Sequence, residues 1–297
     1  MKDILDLTYY PGQDFYCDGE IEDRILALVQ SGRDREEILR ENNEWAILYH
    51  LSDIRENVLD WYEFDPQGTL LEIGAGCGAV TGLFCRKVKQ VTAVDLSKKR
   101  STINATRNGG AGNLKILVGN FEDIVIEEKF DYVTLIGVLE YSSSYISKGK
   151  NPHLEMLNRA RGFLKPGGKL LIAIENKYGM KYFAGAPEDH TARVGDGLQN
   201  YPGVNSVYTF SRPEMEKLLI EAGFTNNRFY YPMPDYKLPS VIYSDAYQPS
   251  PGSLGYQIES FNLERYAFFD EIAAYSQIIR DGQFPYFANS FLIVAGE

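Results

Sequence analysis

Short apolar runs alternate with polar, helix-like stretches from residue 69 onward. Buried β-strands have this length and composition, and we predict strands at Leu70–Ile73, Val91–Val94, Lys115–Val118, Tyr132–Ile136 and Leu170–Ile174. The segments between them have the length of helices or connecting loops. Strands that alternate with helices indicate an α/β fold with a parallel sheet and right-handed crossovers.

Helix boundaries are marked at several points after the fourth predicted strand. Asn151-Pro152 predicts a helix N-terminus, and the capping box Ser211–Glu214 predicts another. Phe229–Tyr231 is a strand candidate, and Ser290–Val294 is the last strand-like run. The long connection between these two runs contains a predicted helix from Glu264 to Arg280 and is more typical of a functional insertion than of a hairpin.

The part of the chain before the first strand is predicted to be helical. Glu20–Gln30 has the pattern of one amphipathic helix. A second helical face is formed by apolar residues at helical spacing: Ile47, Leu51, Ile54, Val58 and Trp61. We therefore expect a helical N-terminal extension or lid over 1–67, an α/β domain over 68–234 and 285–297, and an insertion over 235–284 that covers the acceptor cleft.

Composition narrows the function classes. The formal net charge of −11 argues against a general nucleic-acid binder, which needs a basic surface. The three cysteines have no zinc-site or disulfide spacing, and we assign no metal site. No apolar run approaches the ~20 residues that span a bilayer, and the N-terminus lacks a signal-peptide pattern. We expect a cytoplasmic protein with no membrane span, and homo-oligomerisation is left open.

Three glycines at alternate positions follow the first predicted strand. Gly74, Gly76 and Gly78 come directly after Leu70–Ile73, and a helix is expected from Val80. Glycine allows positive φ and a close approach of a ligand to the backbone, and the start of a helix offers unpaired N–H groups. This order of strand, turn and helix is typical of a site for a nucleotide-like cofactor.

The glycine turn and the strand ends that follow it resemble the class I S-adenosylmethionine-dependent methyltransferases. The resemblance spans roughly residues 65–235 and the final strand. Its motifs are the acidic-x-Gly-x-Gly-x-Gly loop Glu72–Gly78, the second strand end Val94–Ser97, the third motif Gly119–Glu122, the fourth strand with its exit Phe130–Tyr141, and Leu164–Gly168 before the fifth strand. It implies a Rossmann-like, seven-stranded methyltransferase sheet whose last strand is antiparallel.

The resemblance implies S-adenosylmethionine as cofactor and S-adenosylhomocysteine as product. The turn would cradle the methionine part, and Asp95 would accept hydrogen bonds from the ribose hydroxyls. Asn120, where the family more often has Asp, would meet the adenine amine, and the Phe121 backbone N–H would assist it. The residues assigned to the cofactor are Glu72, Gly74, Ala75, Gly76, Gly78, Asp95, Leu96, Asn120, Phe121 and Gly137.

Other cofactor chemistries remain as alternatives. Gly74-x-Gly76-x-x-Ala79 also fits the dinucleotide fingerprint, so a nicotinamide oxidoreductase shares this motif. The acidic residue before the turn and the predicted antiparallel ending favour the methyltransferase. An aminopropyltransferase shares the fold but typically has an acidic pair after the fourth strand, where this chain has Glu140 followed by Tyr141. A non-catalytic module that binds the cofactor would have the same sequence features.

The acceptor side is predicted from the strand ends. Ligands of open parallel sheets bind beyond the carboxyl ends of the strands, which places Glu140, Tyr141 and Glu175 near the reacting atoms. Methyl transfer needs alignment and exclusion of water, and a base only when the acceptor must lose a proton. We hypothesise that His190 is this base, oriented or charged by Glu188 or Asp189. For His50 and His153 we expect structural roles.

A narrower resemblance concerns the loop Ile174–His190 and the ending Phe284–Phe291. Both are similar to methyltransferases found beside glycosyltransferases in bacterial surface-polysaccharide systems. This implies a sugar or glycan acceptor. We therefore expect methyl transfer from S-adenosylmethionine to a small molecule or carbohydrate, in line and on oxygen, with N-methylation of a small molecule as the alternative.

Overall fold

The computed structural model describes residues 4–14, 18–146, 149–255 and 265–297. Its strands are β1 Leu5–Asp6, β2 Thr69–Ile73, β3 Gln90–Asp95, β4 Leu114–Val118, β5 Phe130–Ile136, β6 Leu164–Glu175, β7 Asn226–Met233, β8 Val241–Ser244 and β9 Ser290–Gly296. Its α-helices are α1 Glu20–Gln30, α2 Arg35–Glu41, α3 Trp45–Leu51, α4 Asn57–Asp60, α5 Thr81–Lys87, α6 Lys98–Asn108, α7 Ser142–Tyr145, α8 Pro152–Gly162, α9 Met180–Phe183, α10 Arg212–Glu221, α11 Glu271–Arg280 and α12 Phe284–Phe287.

The α/β Rossmann-like class is confirmed, but the expected count of seven strands is wrong. The described residues form nine strands. The two that the sequence analysis did not predict are β1, which is only two residues long, and β8, which lies within the predicted insertion. Strands this short carry too few alternating positions to show a period of two, so the hydrophobic pattern could not reveal them.

The chain forms two compact units. The first contains Met1–Ile136 and Ala160–Leu170. Its strands lie in the order β1-β4-β3-β2-β5, and every pair is parallel. The register places Leu71 opposite both Thr92 and Val133, so β2 is the central strand of this unit. Strand β1 adds an edge by pairing with β4.

The N-terminal helices pack directly on the glycine turn within the first unit. Cys77, in the middle of the turn, is 1% exposed and belongs to an apolar cluster with residues from α1, α2, α3 and α6: Ile25, Ile38, Ile47, Leu51 and Ile103. Helix α1 also contacts α6 through a buried ion pair from Arg100 Nε to Glu22 Oε1, at 2.6 Å. This unit thus includes all of the predicted extension, and the division of the chain at residues 67, 234 and 284 stays a prediction.

The second unit contains Gly137–Arg159 and Leu171–Glu297. Strand β9 pairs with β7 in antiparallel register, with Phe229 opposite Ile293, and β7 pairs with β8, also antiparallel. The last strand, β9, is therefore antiparallel to its neighbour β7. Helix α10 begins at the predicted capping box, in which the Glu214 carboxylate accepts from the Ser211 backbone N–H.

Two predicted helices differ from the observed ones. The apolar face from Ile47 to Trp61 is interrupted because Ser52 has extended backbone angles and its side chain accepts from the Ile54 N–H. Ile54 and Trp61 are consequently 47% and 42% exposed. Helix α11 begins at Glu271, where Asp270 caps it, whereas the predicted start at Glu264 lies outside the described residues.

Across the described ranges, no helix combines the length and apolar character needed to cross a membrane.

Candidate active site

The glycine turn of the first unit is held by the end of β3. The backbone N–H groups of Gly74 and Ala75 both donate to the carbonyl oxygen of Val94, at 2.8 and 3.1 Å. Gly74, Gly76 and Gly78 have φ values of 72°, 52° and 75°. A residue with a Cβ adopts this left-handed region at a cost of roughly 1–2 kcal/mol. The predicted turn therefore needs glycine for its backbone conformation.

Space around the turn differs between its glycines. A Cβ placed on Gly76 would meet no atom within 4 Å, so this residue borders open space. A Cβ on Gly78 would lie 2.3 Å from Asn104 Oδ1 and 2.5 Å from Asn108 Nδ2. The turn thus presents one glycine to a ligand and packs another against helix α6.

Asp95 joins the turn to the loop after β3. Its Oδ2 accepts from the Gly76 N–H at 2.7 Å and its Oδ1 from the Ser97 N–H at 2.9 Å. Burial raises the pKa of the Asp95 carboxyl. A carboxylate has about four acceptor sites, so these two bonds leave capacity for the ribose diol that the resemblance implies. Leu96 next to it is half-buried, and the cofactor contacts of both residues stay predictions.

Glu72 supports the turn from inside the unit. It is 5% exposed, and its Oε2 accepts from the Thr81 hydroxyl at 2.6 Å. Thr81 in turn accepts from Asn104 Nδ2 at 3.0 Å, and Asn108 Nδ2 donates both to Asn104 Oδ1 and to the Gly78 carbonyl oxygen. Burial raises the pKa of Glu72 to about 8. The geometry gives Glu72 a supporting role, and a direct cofactor contact stays a prediction.

The third motif folds back on its own backbone. Asn120 Oδ1 accepts from the Glu122 N–H at 3.1 Å, and the Gly119 N–H donates to the Asp95 carbonyl oxygen at 2.9 Å. The Phe121 side chain is buried, with its ring centroid 5.7 Å from that of Phe163. These contacts fix the loop that would face the adenine, whereas the predicted adenine contacts remain untested.

The N-terminal segment lies against this same region. Asp14 caps helix α6, because its carboxylate accepts from the backbone N–H groups of Lys98 and Lys99 at 2.8 and 3.1 Å. A Cβ on Gly119 would lie 2.6 Å from the Tyr9 carbonyl oxygen. The sequence analysis missed Asp14, since an acidic residue far from the helix in the chain carries no capping signal. Closure of Tyr9, Tyr10 and Tyr16 over the cofactor as a lid stays a prediction, and Tyr16 lies outside the described residues.

Gly137 is the first residue of the second unit. Its N–H donates to the Ala173 carbonyl oxygen at 2.9 Å, and its φ is 67°. A Cβ there would lie 2.9 Å from the Tyr236 hydroxyl oxygen. The close approach of Tyr236 explains why glycine is required, and the assignment of Gly137 to the cofactor stays a prediction.

The second unit brings three of the four predicted acceptor-side residues into one buried cluster. His190 Nε2 lies 3.8 Å from Glu140 Oε1 and 3.9 Å from Glu175 Oε2. Glu140 and Glu175 are 1% and 0% exposed. The Oε2 atoms of both glutamates are buried and have no hydrogen-bond partner among the described residues. Tyr141, the fourth, packs its ring edge-on to the imidazole, with ring centroids 5.2 Å apart.

Glu188 orients His190. Its Oε1 lies 2.8 Å from His190 Nδ1, and its Oε2 accepts from the backbone N–H groups of His190 and Thr191, both at 2.7 Å. The Tyr201 hydroxyl donates to Glu188 Oε1 at 3.1 Å. Of the two acids proposed to orient the histidine, Glu188 is therefore the one that contacts it. This contact assigns the proton to Nδ1 and directs Nε2 at Glu140 and Glu175.

Asp189 instead belongs to a lysine network beside the cluster. Its carboxylate accepts from Lys181 Nζ at 2.7 Å and from Lys237 Nζ at 2.9 Å. Lys237 also donates to Glu175 Oε1, and Asp235 lies 3.7 Å from Lys181 Nζ. Lys181 and Lys237 were missed by the sequence analysis. The need of buried carboxylates for counter-charges was the one available signal, and it does not identify which lysines supply them.

The charges of the cluster set its protonation. Although burial opposes it, the carboxylates of Glu175, Glu140 and Glu188 raise the pKa of His190 well above its usual value. Burial raises the pKa of Glu140. Although burial works in the opposite direction, Lys237 and His190 lower the pKa of Glu175 below its usual range. At neutral pH His190 is therefore an imidazolium between carboxylates, and His190 alone is a poor base.

Comparison with known proteins defines the class. A family model described as "Methyltransferase domain" matches residues 71–172, which include the glycine turn, Asp95 and the Asn120 loop. The chain thus carries an S-adenosylmethionine-dependent methyltransferase domain, and S-adenosylmethionine is its cofactor. The nicotinamide alternative has no support from this match.

Curated relatives match over limited stretches. A malonyl-[acyl-carrier protein] O-methyltransferase of Priestia megaterium is 28% identical over 119 residues, which are 39% of this chain and 40% of that protein. A Methanosarcina mazei protein named "Probable ribosomal RNA small subunit methyltransferase A" is 38% identical over 82 residues, 28% of this chain and 29% of its own length. The chain spans well under half the length of these relatives.

One solved structure extends the fold likeness to most of the chain. The CcbJ methyltransferase of Streptomyces caelestis has a TM-score of 0.50 at 15% identity, and the alignment covers 85% of this chain and 96% of CcbJ. At this identity the likeness supports the fold alone. The family match ends at residue 172, so it includes Glu140 and Tyr141, whereas Glu175 and His190 lie outside it.

Proposed function

We propose that the whole chain catalyses in-line methyl transfer from S-adenosylmethionine to a hydroxyl oxygen of a small molecule or carbohydrate. The observation that carries this proposal is the buried cluster of Glu140, Glu175 and His190, in which His190 Nε2 faces two carboxylates at 3.8 and 3.9 Å. A hydroxyl acceptor must lose a proton, and this cluster holds groups that can take one.

The reaction determines what the cluster must do. The acceptor oxygen attacks the methyl carbon, the carbon–sulfur bond breaks, and the bonding pair returns to sulfur to give S-adenosylhomocysteine. The acceptor's proton passes to a protein group or to water. A positioned base that takes up such a proton contributes typically 10²–10⁴-fold to the rate. Exclusion of water and alignment supply the remaining effect.

We assign proton uptake to the pair of Glu140 and His190 rather than to His190 alone. The surrounding carboxylates hold His190 protonated, so the imidazole is available only after its proton moves to a neighbour. Glu140 Oε2 is buried with no hydrogen-bond partner in the part of the chain that the structure describes, and burial raises the pKa of this carboxyl. A carboxylate with these properties is suited to accept a proton.

A polyhydroxylated acceptor such as a sugar fits the aromatic and charged surroundings of the cluster. Tyr141 packs on His190, and the hydroxyls of Tyr182 and Tyr201 bond to Asp189 and Glu188. This supports, as a proposal, the narrower resemblance to methyltransferases of surface-polysaccharide systems. The cytoplasmic location and the absence of nucleic-acid partners stay predictions.

N-methylation of an amine is a second candidate, and one observation favours it. Glu140 Oε2 and Glu175 Oε2 are buried and have no hydrogen-bond partner within the described ranges, so they are suitable acceptors for an ammonium group. An amine acceptor must reach the methyl group in its neutral form, so the cluster would again take up a proton.

A tritiated-methyl assay tests the proposal. The purified chain is incubated with methyl-labelled S-adenosylmethionine and with sugars, nucleotide sugars, phenols and amines. Label transfer to a hydroxyl compound that is lost in Glu140→Gln is the expected result. Transfer only to amines supports the second candidate. Binding of S-adenosylmethionine without transfer to any acceptor would contradict both.

A further inference from the structure

We infer that Glu140, Glu175 and His190 form a binding site for one divalent transition-metal ion, with Glu188 as the residue that orients the histidine ligand. Binding of the metal ion is inferred from the geometry of the second unit alone. The ion would displace the proton from His190 Nε2 when it binds. Its use to bind the acceptor's hydroxyl group rests on the proposed function. In that state Glu140 and His190 are ligands, and the acceptor's proton passes to water rather than to this pair.

The donor atoms have the required spacing. Zinc–oxygen and zinc–nitrogen bonds measure about 2.0–2.2 Å, so two donors of one ion are separated by at most about 4.4 Å. His190 Nε2 lies 3.8 Å from Glu140 Oε1 and 3.9 Å from Glu175 Oε2. One ligand atom from each of the three residues lies within 4.8 Å of the other two. Both distances from His190 are therefore below the 4.4 Å limit, and the 4.8 Å bound on the remaining separation exceeds that limit by about 0.4 Å.

The unpartnered atoms point to a ligand that is positively charged. Glu140 and Glu175 are 1% and 0% exposed, and among the described residues neither Oε2 has a hydrogen-bond partner. For Glu175 this is the oxygen that lies 3.9 Å from His190 Nε2, whereas for Glu140 the measured oxygen is Oε1. A buried unpaired carboxylate oxygen is costly, and an ion that coordinates it removes that cost. The lysine contact of Glu175 is made through Oε1, which leaves its Oε2 to coordinate.

The histidine is arranged as metal-binding histidines usually are. Glu188 Oε1 lies 2.8 Å from His190 Nδ1, and Glu188 is itself fixed by Tyr201 and by two backbone N–H groups. A carboxylate that accepts from the distal imidazole N–H fixes the tautomer and raises the basicity of the ligating nitrogen. Here that nitrogen is Nε2, which faces the two other ligands.

Charge in the cluster also favours a cation. Among the described residues, five carboxylates are connected through ion pairs within 4.0 Å to two lysine ammonium groups and His190: Glu140, Glu175, Glu188, Asp189 and Asp235. Lys181 and Lys237 both contact Asp189. Two carboxylates and one imidazole suit Zn²⁺ or Mn²⁺, and three protein ligands leave coordination positions for an acceptor oxygen.

Calorimetric titration tests the site. The full chain, treated with a chelator and dialysed, is titrated with Zn²⁺ or with Mn²⁺. We expect one ion per chain, with affinity about 100-fold lower in His190→Gln and Glu140→Gln and about 10- to 100-fold lower in Glu188→Gln. Glu216→Gln removes a carboxylate of the same unit that pairs with Arg212, and it should bind as the wild type does.

A thermal readout guards against loss of folding in the variants. The ion should raise the Tm of the wild type and of Glu216→Gln and leave the Tm of His190→Gln and Glu140→Gln unchanged. No binding of either ion to the wild type, or equal binding to wild type and both ligand variants, would overturn the site. Specific binding without methyl transfer to any acceptor would support the site and overturn the proposed function.

Discussion

The two units hold their acidic residues in opposite ways. In the first unit, the Asp95 carboxylate accepts from the backbone N–H groups of Gly76 and Ser97, and Glu72 accepts from Thr81. In the second, Glu140 and Glu175 each bury one carboxylate oxygen that has no hydrogen-bond partner among the residues the structure describes. The first arrangement shapes a backbone cradle, whereas the second is poised to take up a proton, a cation or an acceptor. We propose that this difference separates cofactor binding from acceptor chemistry.

The largest expected effect is a loss of turnover in variants of the second unit, and it tests whether cofactor binding and acceptor chemistry are separate. Glu140→Gln and His190→Gln should lower kcat by about 10²–10⁴-fold, because the acceptor's proton loses its destination. Affinity for S-adenosylmethionine should be unchanged, and Glu216→Gln should retain wild-type turnover. Steady-state kinetics with the acceptor found in the screen, together with calorimetry, measure both quantities. Full turnover in both cluster variants would contradict the assignment of proton uptake.

We predict that the free energy of unfolding depends on pH because of Glu72 in the first unit. Its pKa is about 8 when folded and about 4.5 when unfolded, so its contribution to stability is complete below pH 4.5 and is lost as the pH rises to 8. Glu72→Gln, which is neutral throughout, should gain about 1.4 kcal/mol per pH unit over the wild type in this window, about 3–5 kcal/mol in total.

Urea unfolding without cofactor at several pH values measures this gain. A stability difference between Glu72→Gln and the wild type that does not grow with pH would show that Glu72 is ionised in the folded protein.

The next largest effect is the loss of stability expected when the closely packed Gly78 is replaced by alanine. Gly78 and Gly112 have nearly equal φ values, 75° and 78°, but a Cβ on Gly78 would collide with the buried Asn104, whereas one on Gly112 meets nothing within 4 Å. Gly112→Ala should cost about 1–2 kcal/mol for its backbone, and Gly78→Ala about 2–4 kcal/mol because a steric clash is added. Denaturant unfolding measures both losses of stability. Equal losses for Gly78→Ala and Gly112→Ala would mean that the side chains around Asn104 move aside at no cost in free energy.

The smallest expected effect is the contribution of His153 to the pH dependence of stability. This contribution is lost as the pH falls, whereas that of Glu72 is lost as the pH rises. Burial lowers its pKa to about 4, against about 6.5 when unfolded. Its contribution to stability is therefore complete above pH 6.5 and is lost as the pH falls towards 4. The wild type should lose about 1–3 kcal/mol of unfolding free energy through His153 on acidification, and His153→Gln should not show this loss. Unfolding curves at pH 7 and 5 measure it, and an unaltered pH slope would contradict neutral burial of the ring.

Local signals predicted most of the fold. The runs at Leu70–Ile73 and Val91–Val94 are longer in the structure by only one or two residues, and the capping box at Ser211 begins a helix as predicted. Strand β1 was missed because two residues carry no period. The break at Ser52 was missed because the apolar spacing continues across it while the backbone does not.

The candidate site was predictable only where one motif contains it. Gly74, Gly76 and Gly78 are neighbours in the sequence, so their positive φ values followed from residue type. The cluster of the second unit joins Glu140 to His190 and adds Lys237, and such distant contacts depend on tertiary packing that no local pattern records. Glu188 could be proposed as the partner of His190 because it lies two residues away.

The most direct test of the account is titration of S-adenosylmethionine into the wild type, Asp95→Asn and Glu140→Gln. We predict that the wild type and Glu140→Gln bind it with the same affinity. Asp95→Asn should bind roughly 10- to 100-fold more weakly, because the hydrogen bond from Gly76 and the proposed hydrogen bonds from the ribose would both lose their charged acceptor. Absence of binding to the wild type, or loss of affinity in Glu140→Gln equal to that in Asp95→Asn, would contradict the separation of cofactor binding from acceptor chemistry.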